Sequence, residues 1–264
     1  MTISRRRTTS LCLASTPVVE AAPRYSILVA GTPAEMAAAQ RLRHLVFAGE
    51  MGATLHTTTE GLDADEFDEY CDHLIVREDT TGEIVGTYRM LPPHRAAQAG
   101  RRYSDGEFDL SPLAPLRDVL VETGRSCVHP DHRTGAVINL MWAGIARYLH
   151  LHGHRWLGGC ASVPVLGDAP SSVWAQVSGK YLCPPRLRVN PRIPYRLTMP
   201  STVDRSAMPA LLRGYLRIGA WVCGEPALDA DFGVADFYVL LSIDRVDPRY
   251  LKHFLGETAP GETP

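Results

Sequence analysis

The segment from Leu120 to Gly135, with the sequence LVETGRSCVHPDHRTG, constrains the fold more than any other part of this 264-residue chain. Its first residues favour a β-strand, and Gly124 within that strand predicts a bulge. A proline turn and a short basic loop follow, and apolar residues then recur at helical spacing from Gly135 to Leu151. A strand, a basic loop and a helix N-terminus together present backbone N–H groups to a phosphate. The segment therefore predicts an α/β fold that binds a phosphate-bearing donor for group transfer.

The composition excludes several classes of protein. Hydrophobic residues make up 45% of the chain and charged residues 21%, as in ordinary globular domains. A net charge of −2 gives no support to nucleic-acid binding. The cysteines are scattered without C-x-x-C or His/Cys metal spacing, which indicates reduced thiols in the cytosol and no bound metal. No apolar run approaches the ~20 residues that span a bilayer. We therefore expect a cytoplasmic protein.

The chain is expected to form one domain, residues 24–255, between two tails. Residues 1–23 contain three consecutive arginines before an apolar stretch that is too short for a secretory leader, which predicts a disordered tail. Residues 256–264 lack apolar periodicity and predict a loose C-terminal tail. Alternating strands and helices without an internal repeat predict a mixed sheet flanked by helices.

Local patterns predict the elements of this domain. Strands are predicted at Tyr25–Ala30, Asp72–Arg77, Ile84–Leu91, Trp156–Val163, Trp221–Cys223 and Phe237–Ile243. Helices are predicted at Ala34–Ala48, Gly135–Leu151, Ser171–Lys180 and Met208–Ile218. We expect a hairpin turn at residues 79–83 and a long acidic loop at residues 51–70 that contains a helical turn.

Three clusters of charged residues are candidates for chemistry. The first lies at the end of the first helix and consists of Arg43, Phe47 and Glu50. The second runs through the acidic loop and consists of Asp63, Asp65, Asp68 and Asp72. The third lies on two strands and consists of Arg89, Glu122 and Arg125. For any single aspartate of the second cluster, a solvated loop position is the more common interpretation.

The third cluster depends on the predicted bulge. In a regular strand, positions three apart point to opposite faces. A bulge at Gly124 brings Glu122 and Arg125 to the same side. An ordinary cross-strand ion pair with Arg89 is the alternative interpretation.

Two further patterns have simpler explanations beside their functional ones. The histidines at positions 150, 152 and 154 favour contact with a helix C-terminus over a metal site. The arginines at positions 186, 188, 192 and 196 either dock an acidic carrier protein or lie on a solvated loop.

Several ordered motifs resemble one family, the ornithine N-acyltransferases of the GCN5-related N-acyltransferase superfamily, and their relatives, the acyl-homoserine-lactone synthases. The motifs are RLRHLVFAGEMGA (41–53), EFDEYCDHLIV (66–76), VGTYRML (85–91), YSDGEFDLSPL (103–113), ETGRSCVHPDHRTGAVINLMWAGIARYL (122–149) and GCAS (159–162). The resemblance extends from about Tyr25 to about Pro200. Together the ordered motifs are far more specific than any one of them.

The resemblance implies a central sheet that splays after its fourth strand, with an acyl-pantetheine arm in the gap. The implied contacts of the donor phosphopantetheine are Val128, Arg133, Thr134, Gly135 and Ala136. The usual acetyltransferase loop has a second glycine where this chain has Ala136. The added Cβ disfavours close binding of a pyrophosphate, which favours acyl carrier protein, with its single phosphate, over acyl-CoA.

The chemistry implied by the resemblance is direct attack of an amine on a thioester. A carboxylate, Glu50 or Glu122, would take the proton of the ammonium group. Backbone N–H groups near Ser126 and Cys127 would stabilise the oxyanion. The remaining candidates would bind the amino-acid acceptor. Arg89 or Arg125 would bind the carboxylate of the acceptor. A basic side chain of the acceptor would bind to aspartates, for which the candidates are Asp65, Asp68 and Asp72. Arg43 and Phe47 complete the substrate site. Neither a metal, a bound cofactor nor a covalent enzyme intermediate is needed.

The favoured function is transfer of a long-chain, 3-hydroxylated fatty acyl group from acyl carrier protein to the α-amino group of ornithine or a similar amino acid. One alternative is an enzyme like the acyl-homoserine-lactone synthases, or an acyl-CoA-dependent N-acyltransferase. A further alternative is a non-catalytic module that binds an acyl carrier or lipid. The amphiphilic product places the enzyme near the inner membrane face, where we expect peripheral contact.

Overall fold

The structure, a computed structural model, describes residues 24–250. Both predicted tails, and residues 251–255 of the predicted domain, lie outside the described residues. The described strands are β1 (Tyr25–Val29), β2 (Asp72–Glu78), β3 (Ile84–Leu91), β4 (Phe108–Asp109), β5 (Leu120–Val128), β6 (Trp156–Pro164), β7 (Asn190–Pro191), β8 (Trp221–Val222), β9 (Ala227–Asp229) and β10 (Val234–Ser242). The α-helices are α1 (Pro33–His44), α2 (Pro93–Gln98), α3 (Gly135–Leu151), α4 (Ala169–Val177) and α5 (Ala210–Arg217).

The main sheet contains eight strands in the order β1-β2-β3-β5-β6-β10-β8, and β9 pairs with β10. Neighbouring strands of this sheet pair antiparallel, except that β5 and β6 pair in parallel. This confirms the predicted mixed sheet, and the β2–β3 hairpin confirms the predicted turn at residues 79–83. Strands β4 and β7 form a small separate ladder.

Helices cover both faces of the sheet. On the first face, which we call face A, Leu42 of α1 packs against Cys127 of β5. Phe47, in the turn that follows α1, belongs to the same apolar cluster. On the opposite face, face B, helices α3, α4 and α5 close the largest apolar core. A Cβ added to Gly144 of α3 would lie 2.2 Å from Ile27 Cδ1, so a larger residue there would require the Ile27 side chain to move.

The sheet splays between β5 and β6, its fourth and fifth strands. Their parallel pairing covers only Leu120–Glu122 with Trp156–Gly158, although both strands continue for six more residues. At the point of separation a Cβ on Gly159 would lie 2.1 Å from the carbonyl oxygen of Thr123, so this position admits only glycine. The gap predicted after the fourth strand is confirmed.

A bulge in β5 occurs one residue later than predicted. Thr87 of β3 pairs with Cys127 and Arg89 pairs with Gly124, so Arg125 and Ser126 together oppose one residue of β3. Arg125 has a φ of +50° and is the one non-glycine residue with positive φ among residues 24–250. The bulge predicted at Gly124 therefore lies at the next two residues, and its left-handed residue is Arg125.

Other predicted elements differ from the structure mainly at their ends. Thr32 and Glu35 form a capping box at the start of α1. The helix then widens into a π-type turn, Leu45–Glu50, where the sequence predicts a continuous α-helix. The acidic loop contains a short 3₁₀ turn, Asp68–Tyr70, as expected. Helix α2 and strand β9 have too few residues for a periodic pattern, and the sequence did not predict them.

Candidate active site

A cavity of about 180 Å³ lies on face A where β5 and β6 separate. Its polar lining includes Arg89, Glu122, Arg125, Cys160, Asp229 and Asp236. Its aromatic lining is Phe47, Phe67, Tyr88, Tyr103 and Phe232. A wider recess of about 460 Å³, here called the outer recess, shares Tyr103, Arg125 and Phe232 with the cavity. These shared residues place the outer recess at the mouth of the cavity.

Beside the cavity, three arginines and three aspartates form a closed ring of ion pairs, which we call the charge ring. Arg43 Nε lies 2.9 Å from Asp63 Oδ2, and Arg43 Nη2 lies 2.7 Å from Asp68 Oδ2. Arg89 Nη1 lies 2.6 Å from Asp65 Oδ1 and 3.1 Å from Asp68 Oδ1. The ring closes through Arg125, whose Nε lies 3.2 Å from Asp63 Oδ2 and whose Nη2 lies 3.6 Å from Asp65 Oδ2.

The charge ring corrects the interpretation of the acidic loop as solvated. Asp63 and Asp68 are buried, as are Arg43 and Arg89. Burial raises the pKa of Asp68, but the guanidinium groups of Arg43 and Arg89 outweigh it and hold the pKa well below its usual range. The ring carries equal numbers of positive and negative charges, so each predicted acidic residue in it already has arginine partners.

Arg125 lines the cavity and is the most exposed of the three arginines in the charge ring. Its guanidinium carbon lies 4.8 Å from the ring centroids of both Tyr103 and Phe232. Its side chain is 13% exposed, against 0% for Arg43 and 5% for Arg89. Stacking between two aromatic faces fixes the plane of the guanidinium group, which suits bidentate binding of a carboxylate.

Glu122 is a buried carboxyl group without an ion-pair partner among the described residues. Its Oε2 accepts the backbone N–H of Tyr103 at 2.8 Å, and its Oε1 accepts that of Ser104 at 3.0 Å. Burial raises its pKa despite these two hydrogen bonds. The predicted alternative of a cross-strand ion pair with Arg89 is not formed, because Arg89 pairs with Asp65 and Asp68. A buried carboxyl with a raised pKa has the proton affinity of a general base.

Glu50 lies outside the cavity lining. It is exposed and forms a bidentate ion pair with Arg133, with 2.6 Å between Oε1 and Nη1. Hydrogen bonding from Arg133 lowers the pKa of Glu50, so the carboxylate is a weaker proton acceptor than Glu122. Arg133 Nε also donates to the carbonyl oxygen of Val128 at 3.2 Å. These contacts tie the end of the π-type turn to the loop that precedes α3.

The start of α3 is open. Thr134 is its N-cap and makes no side-chain capping hydrogen bond, and Thr134, Gly135 and Ala136 are all exposed. A Cβ on Gly135 would meet no heavy atom within 4 Å. Neither packing nor backbone conformation therefore requires glycine there, and the space beside it is available to a ligand.

Two of the predicted residues have other contacts. Cys127 lies in an apolar cluster with Leu42, Phe47 and Ala53, and burial raises the pKa of its thiol to about 12. The thiol is therefore not a nucleophile at neutral pH. Asp72 does not line the cavity, and its Oδ2 accepts the hydroxyl of Tyr148 at 2.7 Å.

The C-terminal strands contribute acidic residues that the sequence did not identify. Asp229 and Asp236 line the cavity, and Glu107 lies beside Asp236. A signal was present in the sequence, because Asp236 is the single charged residue of an otherwise apolar strand, VADFYVLLS, in which every residue is buried.

On face B, a narrow apolar crevice reaches the same gap between β5 and β6. Its walls include Thr123, Gly159, Ala161 and Val239, and the hydroxyls of Tyr88 and Tyr215 contact each other beside it. Thr123, Tyr88, Cys160 and Ala161 line both this crevice and the cavity on face A. The gap is therefore reached from both sides of the sheet.

No helix within residues 24–250 has both the length and the apolar character that a membrane span requires.

Comparison with known proteins places these features in context. Residues 42–143 match the acetyltransferase (GNAT) domain family. A protein of Rhodobacter capsulatus named L-ornithine N(alpha)-acyltransferase is 36% identical over 244 residues, which cover 87% of this chain and 94% of that protein. A protein of Brucella abortus with the same name is 33% identical over 254 residues, which cover 88% of this chain and 89% of that protein.

Solved structures share the fold at low sequence identity. The CoA-dependent acyl-homoserine lactone synthase BjaI, with SAM and isopentyl-CoA, superposes with a TM-score of 0.53 at 16% identity and covers 88% of each chain. TofI, in a ternary complex with an inhibitor and MTA, superposes with a TM-score of 0.53 at 19% identity, covering 87% of this chain and 96% of TofI.

Proposed function

Because this chain belongs to the L-ornithine N(alpha)-acyltransferase family and is an acyltransferase of the GNAT fold, we propose that its acceptor is the α-amino group of ornithine. The donor we propose is a long-chain, 3-hydroxylated fatty acyl thioester of acyl carrier protein. One observation carries the proposal: the splayed gap opens into a cavity that holds both a buried carboxyl, Glu122, and a stacked guanidinium, Arg125. The proposed product, ornithine with a long acyl chain, is amphiphilic, which supports action in the cytoplasm near the inner membrane face.

The donor arm would occupy the gap between β5 and β6. Its phosphate would bind the exposed N-terminus of α3 at Thr134, Gly135 and Ala136, where the backbone N–H groups of the first helical turn and the helix dipole favour an anion. Arg133 and Val128 flank this position. A single glycine in the loop supports a donor with one phosphate, as on acyl carrier protein.

The acceptor would occupy the cavity on face A. Its α-carboxylate would bind the stacked guanidinium of Arg125, and Phe47 would form part of the surrounding wall. The rest of the charge ring would hold Arg125 in place through ion pairs, and it includes Arg43, Arg89, Asp65 and Asp68. Its α-amino group would then lie near Glu122 at the mouth of the gap. Asp72 lies outside this arrangement.

Glu122 would accept a proton from the α-ammonium group, directly or through water. The free amine nitrogen then attacks the thioester carbonyl carbon, and backbone N–H groups of the bulge at Arg125 and Ser126 would donate to the oxyanion. Collapse of the tetrahedral intermediate breaks the C–S bond, and the proton that remains in excess on the attacking nitrogen passes to the departing pantetheine thiolate. The proton taken up by Glu122 is released to solvent. The products are an amide and a free carrier thiol.

The test is a reconstituted assay with purified protein. 3-Hydroxyacyl carrier protein, the matching acyl-CoA and the carrier with a non-hydroxylated chain are each supplied with ornithine, and free thiol and the amide are measured. We expect ornithine-dependent thiol release that is fastest with the 3-hydroxyacyl carrier protein. S-adenosylmethionine serves as the alternative acceptor. Binding of the carrier without amine-dependent release would overturn the proposal in favour of a non-catalytic module.

A further inference from the structure

A second acidic group, separate in sequence from the aspartates of the charge ring, lies at the same cavity. Carboxyl oxygens of Glu107 and Asp236 and the sulfur of Cys160 all lie within 4.8 Å of one another. Asp236 is 3% exposed and lines the cavity. Asp229 lines both the cavity and the outer recess. We call Glu107, Asp229 and Asp236 the acidic wall.

The acidic wall lacks the counter-charges that the charge ring has. Within residues 24–250 no ion pair involves any of its three carboxyl groups. Asp236 Oδ1 and Glu107 Oε1 are buried and have no hydrogen-bond partner. Burial raises the pKa of Asp236 to about 6, and burial and the neighbouring Asp236 raise that of Glu107 to about 9. Buried, unpaired carboxyl groups are costly, so such a group that faces a cavity calls for a cation from outside the protein.

Cys160 takes part as a hydrogen-bond donor. Its sulfur lies 3.3 Å from Glu107 Oε2, and burial raises the pKa of its thiol well above the usual value. A neutral thiol is a poor metal ligand, because metals bind the thiolate. An organic ammonium group, which donates up to three hydrogen bonds, matches the two unpartnered carboxyl oxygens better.

We propose that Asp236, with Glu107 beside it and Asp229 at the rim, binds the side-chain ammonium group of a diamino-acid acceptor. The inference rests on the proposed function and deepens it, because it assigns the group that selects ornithine over neutral amino acids. Arg125 and Asp236 line one cavity, so a single acceptor reaches both with its two charged ends. The aspartates of the charge ring are unavailable for this role, since each has an arginine partner.

The experiment compares ornithine with norvaline, which has the same carbon chain without the side-chain amine. Binding of each amino acid is measured by calorimetry and acylation by steady-state kinetics, in the wild-type chain and in Asp236→Asn. Loss of a buried charge partner typically costs 2 kcal/mol or more, so we expect the preference for ornithine to fall by about 30-fold or more, mainly through KM. Norvaline should bind the variant as well as it binds the wild type.

Asp231→Asn is the matched control. Asp231 lines the outer recess, but its exposed side chain pairs with His56, so the variant should keep the full preference for ornithine. If Asp236→Asn does not fold, Asp229→Asn, which removes the acidic-wall carboxyl at the rim of the same cavity, provides the second comparison. An unchanged preference in the folded variants overturns the inference. If the wild type binds ornithine through Asp236 but acylates nothing, the inference stands and the proposed function fails.

Discussion

Each charged side chain in the charge ring neutralises the charge of its neighbours in the ring, so loss of one leaves another without a full set of partners. Outside the ring of ion pairs, Arg43 donates to the carbonyl oxygen of Asp63. Asp68 also accepts from Gln40 and from the backbone N–H of Asp65, and His73 Nε2 lies 3.9 Å from its Oδ1. Substitution Asp68→Asn leaves Arg43 and Arg89 with one carboxylate fewer and a net positive charge in the interior. We expect the free energy of unfolding to fall by about 3 kcal/mol or more, as measured by denaturant titration at neutral pH. Asp244→Asn, which breaks an exposed pair with Arg155, is the control and should change it by less than about 1 kcal/mol.

The same substitution should alter the dependence of stability on pH. The pKa of Asp68 is lowered in the folded state, so its contribution is fully present above the unfolded value of 3.8 and is lost as pH falls below it. Wild-type stability should therefore decline as pH drops from about 5. In Asp68→Asn the decline should be shallower. Equal slopes in the two proteins would show that Asp68 does not hold its charge through the ring.

Glu122 accepts two backbone N–H groups and is the proton acceptor that we propose, and one substitution tests both roles. In Glu122→Gln, an amide NH₂ replaces one of two oxygens that each accept a backbone N–H. We expect a loss of about 1–3 kcal/mol in stability from this mismatch. Loss of the proton acceptor should lower kcat by about 100-fold or more. The distinguishing measurement is the pH–rate profile, whose acidic limb should disappear in the variant. A lower rate with that limb intact would assign Glu122 a purely structural role.

At the scale of elements, the sequence predicted the helices and strands that a local pattern of apolar residues defines. Helix α3 has the predicted bounds because its apolar residues recur at helical spacing over four turns. The bulge was predicted at Gly124 because a glycine within a strand is typical of a bulge. It lies at Arg125 and Ser126 instead, and Arg125 takes the left-handed conformation while stacking on Tyr103 and Phe232. Such contacts come from distant parts of the chain, and no local pattern in the sequence contains them.

The start of α3 offers a test of donor binding that separates packing from function. Gly135 has a negative φ and open space at its Cβ position, so Gly135→Ala should leave stability unchanged or raise it by about 0.4–1 kcal/mol. The new methyl group would occupy the position of the donor phosphate. We expect a higher KM for the carrier thioester with an unchanged KM for ornithine. Gly179→Ala, which also adds a methyl group in open space, should change neither KM. An unaltered donor KM in Gly135→Ala would remove this helix end from the donor site.

At the scale of the whole molecule, the site joins segments that lie far apart in the sequence. The N-terminal candidates were predicted because short motifs carry them, and the structure brings Arg89, Glu122 and Arg125 to one cavity. Asp229, Phe232 and Asp236 reach the same cavity because β10 pairs with β6 across a separation of about 70 residues. Strand pairing over that distance depends on the whole sheet. The sequence therefore marks Asp236 as a charged residue in an apolar strand, but it does not predict which cavity Asp236 lines.

The arrangement of the whole molecule also predicts the kinetic mechanism. The gap is reached from face A and from face B, so donor and acceptor would bind together and react directly. Cys127, the cysteine nearest the bulge, is buried in an apolar cluster with a raised thiol pKa. We expect intersecting initial-rate plots, no stoichiometric release of carrier thiol without acceptor, and retained activity in Cys127→Ala. Cys183→Ala, in a different apolar cluster, controls for the loss of a buried thiol. Parallel plots with a burst of free thiol would instead require an acyl-enzyme, and loss of that burst in Cys127→Ala would identify its position.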